Sequence, residues 1–495
     1  MPPLNADEET PLLPQEQRKK KPTPIPWAQF SIVLFLQLAE PLTSQVIYPF
    51  TPDLIRNLGI THGDETKVGH YVGMLQSLFF ATQALTVLHW SRISDHVGRK
   101  PVILTGLAGL SISMYCFGLS RTFWGIVLSR CLNGALNGNI GVIKSMMAEL
   151  TDSTNIAQAY AYMPIAWSTG GTLGPIIGGM LSRPAERFPN LFGHNEFLKT
   201  YPYFLPCAVP ATFTVIAWLV TFFFLKETVK SPVSVRQLLR LRDTKADLTL
   251  RNVSGMQRQP TQNSLPTKGK LVAEEKEEPL PLSELMTSRV IISGANYAFL
   301  AIVDIAFRAI QPLFLSTPIA LGGLGLPPHI IGVILSGFGI LNGVFQIFFF
   351  AKIHDRWGTK NVFIVGIAAA VPVFAMFPVI NSVARVEELS TLVWGLVAAQ
   401  VIISILISLS YGCIFIYITA SSPNKASMGA TNGLCQMVVS VMRAIGPASA
   451  NSLFSLSIDP AKHYLNGQLV YFVLEILAFV SIGVALLLPR QVWTS

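Results

Sequence analysis

Ser91-Arg-Ile-Ser-Asp95-His96-Val-Gly98-Arg99-Lys100 is a charged loop between two long apolar runs. Part of it returns as Ala351-Lys-Ile-His-Asp355-Arg356-Trp-Gly358-Thr-Lys360, between two more such runs, roughly half a chain later. A short charged connection at the same place in both halves points to a duplicated membrane bundle. Parallel repeats of this kind place a pathway between the halves, so movement of a substrate across a membrane is the first expectation. The rest of the chain agrees. It has 495 residues, 51% hydrophobic and 13% charged, with mean hydropathy +0.49, whereas a soluble domain carries about 25% charged residues.

A spanning helix needs about 20 apolar residues, and about twelve segments qualify. They fall near 28–50, 69–90, 101–119, 123–145, 158–181, 203–225, 289–315, 329–351, 361–381, 391–419, 427–455 and 468–488. The expected organisation is a disordered cytoplasmic tail over 1–26, a six-helix bundle over 27–225, a cytoplasmic linker over 226–288, a second six-helix bundle over 289–489 and a short cytoplasmic tail over 490–495. The linker carries Glu274, Glu275, Glu277 and Glu278 among prolines and is too polar to fold alone; Pro279–Met286 within it reads as a short surface helix. Glu8-Glu-Thr-Pro-Leu12-Leu13 has the form of an endosomal or vacuolar sorting signal, or is an ordinary solvated tail. The sequon Asn252-Val-Ser254 would face the cytoplasm, unused.

The net charge of +9 is spread over loops and forms no basic-aromatic groove, so no nucleic-acid partner is expected. With both termini inside, about 25 Lys and Arg are cytoplasmic and about eight outside, as the positive-inside rule favours. The five cysteines all fall inside predicted spans, with no metal or disulfide spacing. The polar first 26 residues read as no cleavable signal, so the first span is the expected insertion signal. No cofactor is called for, no enzyme constellation stands out, and a nucleotide-binding GxxxxGK[ST] pattern is not found.

The halves repeat in more than their loops. Glu40 in span 1 precedes Pro49 as Asp304 in span 7 precedes Pro312, and Gly174-Pro175 in span 5 answers Gly446-Pro447 in span 11. A carboxylate inside a span is costly and marks function by default. Glu40 is the first candidate proton carrier, or one member of a fixed pair. Asp304 lies four residues from Arg308 on one helix face, so those two either neutralise each other or serve as the reserve site. Arg130 sits in an apolar helix beside Gly134 and Gly138; it cannot lose its proton, so it would tune a nearby acid or form a structural pair. Gln45, Gln76, Asn137, Trp167, Gln311, Asn342 and Gln436 are candidates for a central pocket, and Arg443 could line the cavity.

These motifs together resemble the major facilitator superfamily, and within it the twelve-span drug:proton antiporter branch, including fungal-type multidrug and metabolite exporters. The resemblance covers nearly all of the chain outside tail and linker. It implies an all-α membrane protein, with twelve transmembrane helices in two pseudo-symmetric six-helix halves. The loop at 91–100 is similar to the family's GxxxDRxGRK motif, with Ser91 for the usual Gly and His96 for the usual Arg. By resemblance, Asp95, Gly98, Arg99 and Lys100, with Asp355, Arg356 and Gly358 in the second half, form a cytoplasmic gate that latches the halves and favours the outward-open state. Gly170, Gly174, Pro175, Gly178 and Gly179 resemble the antiporter motif gxxxGPxxGG, which argues for export. By resemblance Arg130 is associated with proton coupling; it joins Glu40, Asp304 and Arg308, read above from the residues themselves, as the candidate proton-coupling set. The expected function is proton-coupled export of a small organic molecule by a monomer, in the plasma or vacuolar membrane. Uptake by a facilitator or symporter, or a receptor that binds without flux, are the rival readings.

Overall fold

A computed structural model describes residues 23–151, 155–229, 282–423, 427–459 and 464–493. Leu12-Leu13, Asn252 and most of the two predicted polar segments lie outside them, and of Asp95 and His96 only the backbone is described.

Helices lie on every predicted span. Most are continuous: Glu65–Val97 (span 2), Arg99–Leu119 (span 3), Ile156–Leu181 (span 5), Phe204–Phe224 (span 6), Ser288–Ser316 (span 7), Thr391–Ser421 (span 10), Met428–Ser457 (span 11) and Leu469–Leu486 (span 12). Spans 8 and 9 run through Pro328–Ala368 and Ala370–Glu387 and are separated by a turn at Gly358, whose φ is 75°. Three spans are interrupted, span 9 by the single residue Ala369 between Pro328–Ala368 and Ala370–Glu387. Span 1 is divided into Trp27–Gln37, Ala39–Gln45 and Thr51–Asn57, and span 4 into Phe123–Leu136 and Asn139–Leu150. In the linker a one-turn helix, Leu282–Leu285, falls within the expected surface helix.

Side-chain caps mark several helix starts. Asp64 accepts from the Thr66 amide at 2.9 Å, Thr122 from Gly125 at 3.2 Å and Thr287 from Val290 at 3.4 Å. Each satisfies an amide that the first helical turn leaves without a partner.

By length and apolar composition alone, 7 helices among the described residues could cross a membrane, those of spans 3, 6, 7, 8, 9, 10 and 12. Spans 1, 2, 4, 5 and 11 are broken, or diluted by glycines and polar side chains that face protein rather than lipid. The outer helices carry the lipid-facing surface: Ile216, Phe223 and Phe224 on span 6 and Phe472, Phe479 and Val480 on span 12 are exposed.

The packing repeats between halves. Span 1 lies on span 5 as span 7 lies on span 11, span 2 on 4 as 8 on 10, and span 3 on 6 as 9 on 12. Across the halves, span 2 meets 11 and span 8 meets 5. The Gly-Pro pairs obey the same symmetry. A Cβ at Gly174 would strike Gln45 and Val46 of span 1, while the Pro175 carbonyl lies against Gly332 of span 8. A Cβ at Gly446 would strike Ile305 of span 7, while the Pro447 carbonyl lies against Gly73 of span 2.

Among the described residues, the hydrogen bonds that join the halves lie on one side of the bundle. Arg56 donates to the Ser316 carbonyl at 3.1 Å, and His70 Nδ1 meets Ser452 Oγ at 2.8 Å. The Ala448 amide donates to Ser77 at 2.8 Å, Asn451 to Gln76 at 3.4 Å, Ser336 to the Thr172 carbonyl at 2.7 Å and Ser168 to the Gly339 carbonyl at 3.2 Å. Among the described residues all such bonds lie between the midplane and the side away from the chain ends. On the side that carries the termini, no hydrogen bond between described residues joins the halves.

Candidate functional site

The breaks in spans 1 and 4 build the centre of the first half. Irregular backbone at membrane depth persists only where it is packed in protein or lines a cavity. Glu40 follows the break at Leu38, and Asn137 is the non-helical residue of span 4, with φ −82° and ψ 66°. The Glu40 side chain is half-buried and faces the amides of Asn137 and Gln83. It makes no ion pair with any described residue. Asn137 is fully buried, and neither its amide oxygen nor its nitrogen has another partner among the described residues.

The antiporter-type glycines hold this part of span 1 in place. A Cβ at Gly170 would lie 2.6 Å from Cβ of Pro41, the residue after Glu40, and one at Gly178 would lie 1.8 Å from the Val46 carbonyl oxygen. Gly179 instead faces Pro328 and Gly332 of span 8. The row of small residues thus seats span 1 on one side and the opposite half on the other, with Pro175 inside a continuous helix.

The second half arranges its acid differently. Both oxygens of Asp304 accept from Arg308 Nε, at 2.9 and 3.0 Å, and Oδ2 accepts from the Tyr411 hydroxyl at 2.9 Å. The Arg308 guanidinium stacks over Phe338 at 5.2 Å. Arg443 of span 11 lies beside Tyr411 and within electrostatic reach of Asp304. Tyr297 donates to Gln436 at 3.3 Å.

Arg130 stands apart. It is 3% exposed, its guanidinium lies 4.8 Å from the Phe79 ring centre, and Nε donates to the Leu75 carbonyl at 3.4 Å. Nη1 has no partner among the described residues. The acid that Arg130 was expected to tune is not beside it. Its electrostatic neighbour is Tyr48, at the second break of span 1, which also senses Arg308, Asp304 and Arg443.

The two charged loops share a frame. Gly98 (φ 113°) and Gly358 (φ 75°) turn the chain where a Cβ would be strained. Lys100 donates to the Phe222 carbonyl at 2.9 Å, and Lys360 to the carbonyls of Leu486, at 2.8 Å, and Leu488. Each lysine thus meets the negative end of its half's last helix. Beyond that they differ. In the first loop the Glu227 carboxylate accepts from the Arg99 and Lys100 amides at 2.8 and 3.0 Å, and Arg99 pairs with Glu149 at 2.8 Å, to which the Thr228 hydroxyl also donates. In the second, Asp355 and Arg356 are exposed. The described partners of Arg99 are all in its own half.

Of the other pocket candidates, Gln45 lies under Gly174 and Gln76 is taken up in the seal between spans 2 and 11. Trp167 is 40% exposed on span 5, and Gln311 is buried in span 7. Asn342 on span 8 has a buried amide oxygen without a described partner. Sequence reading passed over Lys144 of span 4, which acts electrostatically on both Glu40 and Arg443. The signal was available: a charge in an apolar run, as for Arg130. Glu149, at the end of span 4, is the ion-pair partner of Arg99.

Comparison with known proteins agrees with this architecture. The chain is 26% identical over 496 residues to the major facilitator-type transporter psiT2 of Psilocybe cyanescens, covering 97% of this chain and 93% of that protein. It is 28% identical over 466 residues to the efflux pump azaK of Aspergillus niger, covering 92% and 89%. Among solved structures, a D-xylose-proton symporter superposes with a TM-score of 0.66 at 12% identity, covering 94% of this chain and 98% of that one. The family model of the Major Facilitator Superfamily matches residues 33–447. The chain is therefore a multi-pass membrane transporter of small molecules, with the all-α fold of two pseudo-symmetric halves, and it belongs to the Major Facilitator Superfamily.

Proposed function

We propose that this protein exports a small organic molecule from the cytoplasm in exchange for protons, working as a monomer by alternating access. Both termini are cytoplasmic on this reading, in a plasma or vacuolar membrane. The observation that carries the proposal is the setting of Glu40: a carboxylate at helix breaks within the membrane, facing amides and no ion-pair partner. Such a group can gain and lose a proton without leaving a partner charge stranded. Asp304, held by Arg308 and Tyr411, is the reserve site. Arg130 acts on the same region through Tyr48. The terminal side then faces the cytoplasm and receives substrate there. The loops at 91–100 and 351–360 gate that side, and the glycine row of span 5 is a pivot surface for span 1. The names of the efflux pump and transporter relatives support export.

Flux in proteoliposomes under an imposed pH gradient tests this. Substrate movement opposite to protons, lost when the gradient collapses, is the expected result. Exchange that ignores the gradient would make the protein a facilitator. Substrate moving with protons would make it a symporter, and binding without counterflow would leave a receptor.

A further inference from the structure

The charges around Glu40 describe the molecule that would sit there. Arg308 is matched by Asp304 at 2.9 Å. Arg443 is not matched: no carboxylate of the described residues lies within ion-pairing distance of it, and its neighbour is the Tyr411 hydroxyl, which is already donated to Asp304. Arg443 and Lys144 both act on Glu40, and Lys144 adds its positive potential to that of Arg443. Glu40 and Arg443 are thus within electrostatic reach of each other, and neither forms an ion pair with a described residue. Charges left in this state inside a membrane are costly unless a ligand or water meets them. An aromatic wall stands beside Arg443: Tyr297 meets Tyr411 at 6.3 Å and Phe415 at 5.4 Å between ring centres, and Phe415 is 43% exposed.

Resting on the export reading, we propose that the substrate is amphoteric. It bears a protonated amine for Glu40 and an oxyanion, such as a carboxylate, for Arg443, on an apolar or aromatic body that lies against Phe415. The guanidinium suits such an oxyanion because it can donate two parallel hydrogen bonds. The coupling follows from the chemistry. Glu40 holds either a proton or the substrate's ammonium, not both. Arrival of the ammonium from the terminal side releases the proton to that side, and arrival of a proton from the far side releases the ammonium there. The only bond that changes is the O–H of Glu40, whose proton passes to and from water, and one proton is exchanged for one ammonium. A purely anionic substrate would instead bind best with Glu40 protonated and would travel with the proton.

Matched probes test this on the purified full-length protein by calorimetric binding. Phenylalanine and 4-(aminomethyl)benzoate carry both charges at short and long spacing. 3-Phenylpropanoate and 4-methylbenzoate lack the amine, and phenylalaninamide and 4-(aminomethyl)benzamide lack the carboxylate. At least one zwitterion is expected to bind about tenfold or more tighter than either of its singly charged partners. Arg443→Gln should erase the cost of losing the carboxylate and leave the cost of losing the amine; Glu40→Gln should do the reverse. Arg443→Lys should keep part of the carboxylate preference, and the probe series on the unaltered protein stands even where a variant does not fold. Singly charged probes binding as tightly as both zwitterions, or no zwitterion binding at about 10 mM, would overturn the proposal. Zwitterion selectivity without proton-driven flux would sink the export reading alone. Proton-driven flux of a singly charged probe would sink this inference alone.

Discussion

Glu40 and Asp304 occupy corresponding places in the two pseudo-symmetric halves, yet the halves treat them differently. In the second half the helix is continuous, and Asp304 is fixed by Arg308 and by Tyr411. In the first half the helix is broken on both sides of the acid's segment, and Glu40 faces amides. A buried pair holds its geometry because separating it strands a charge. An acid among neutral hydrogen-bonding groups is free to change its charge. On the proposed function, Asp304 braces the bundle and Glu40 responds to protons.

The comparison breaks if the two acids behave alike. Glu40→Gln is expected to reduce gradient-driven accumulation to the level of empty vesicles while the protein folds normally. Asp304→Asn should retain a pH-dependent exchange that Glu40→Gln has lost; a flat pH profile in Asp304→Asn and an intact one in Glu40→Gln would exchange their roles. On stability the order reverses. Asp304→Asn leaves Arg308 without its anion and should cost about 3 kcal/mol, read as a lowered thermal midpoint in detergent.

The helix seats sharpen the contrast. Gly178→Ala forces a methyl group against the backbone carbonyl of Val46, which cannot rotate away, and should cost about 2 kcal/mol along with transport activity. Gly446→Ala meets only the Ile305 side chain, which can change rotamer, so a smaller loss is expected. Equal loss from both would mean that span 7 is seated as rigidly as span 1. The smallest effect is assigned to Tyr411→Phe. It removes one hydrogen bond to Asp304, worth about 1 kcal/mol, and should lower the thermal midpoint slightly while proton-driven flux continues.

The loops give a second comparison of the same kind. Lysine and glycine recur with the same geometry, but the Arg99–Glu149 pair and the Glu227 carboxylate over the helix start belong to the first loop. The family-like sequence at 91–100 announced the loop. Glu227 sits more than a hundred residues away in the chain, and nothing local tells it to return to Gly98.

The sequence by itself determined the repeated bundle, the positions of its spans, the acids within them and the glycine row of span 5. These are local matters: apolar length, a charge inside an apolar run, and a spacing that leaves one helix face bare. It also carried the Asp304–Arg308 pair, because four residues is one helical turn. Only the tertiary structure decided that Asn137 and Gln83 meet Glu40, that Lys144 and Arg443 approach it from separate spans, that Gln76 serves the seal rather than the pocket, and that Arg130 looks to a ring and a tyrosine instead of an acid. Those outcomes depend on how helices rotate against each other and where they break, and such long-range packing leaves no period in the chain for a reader to follow.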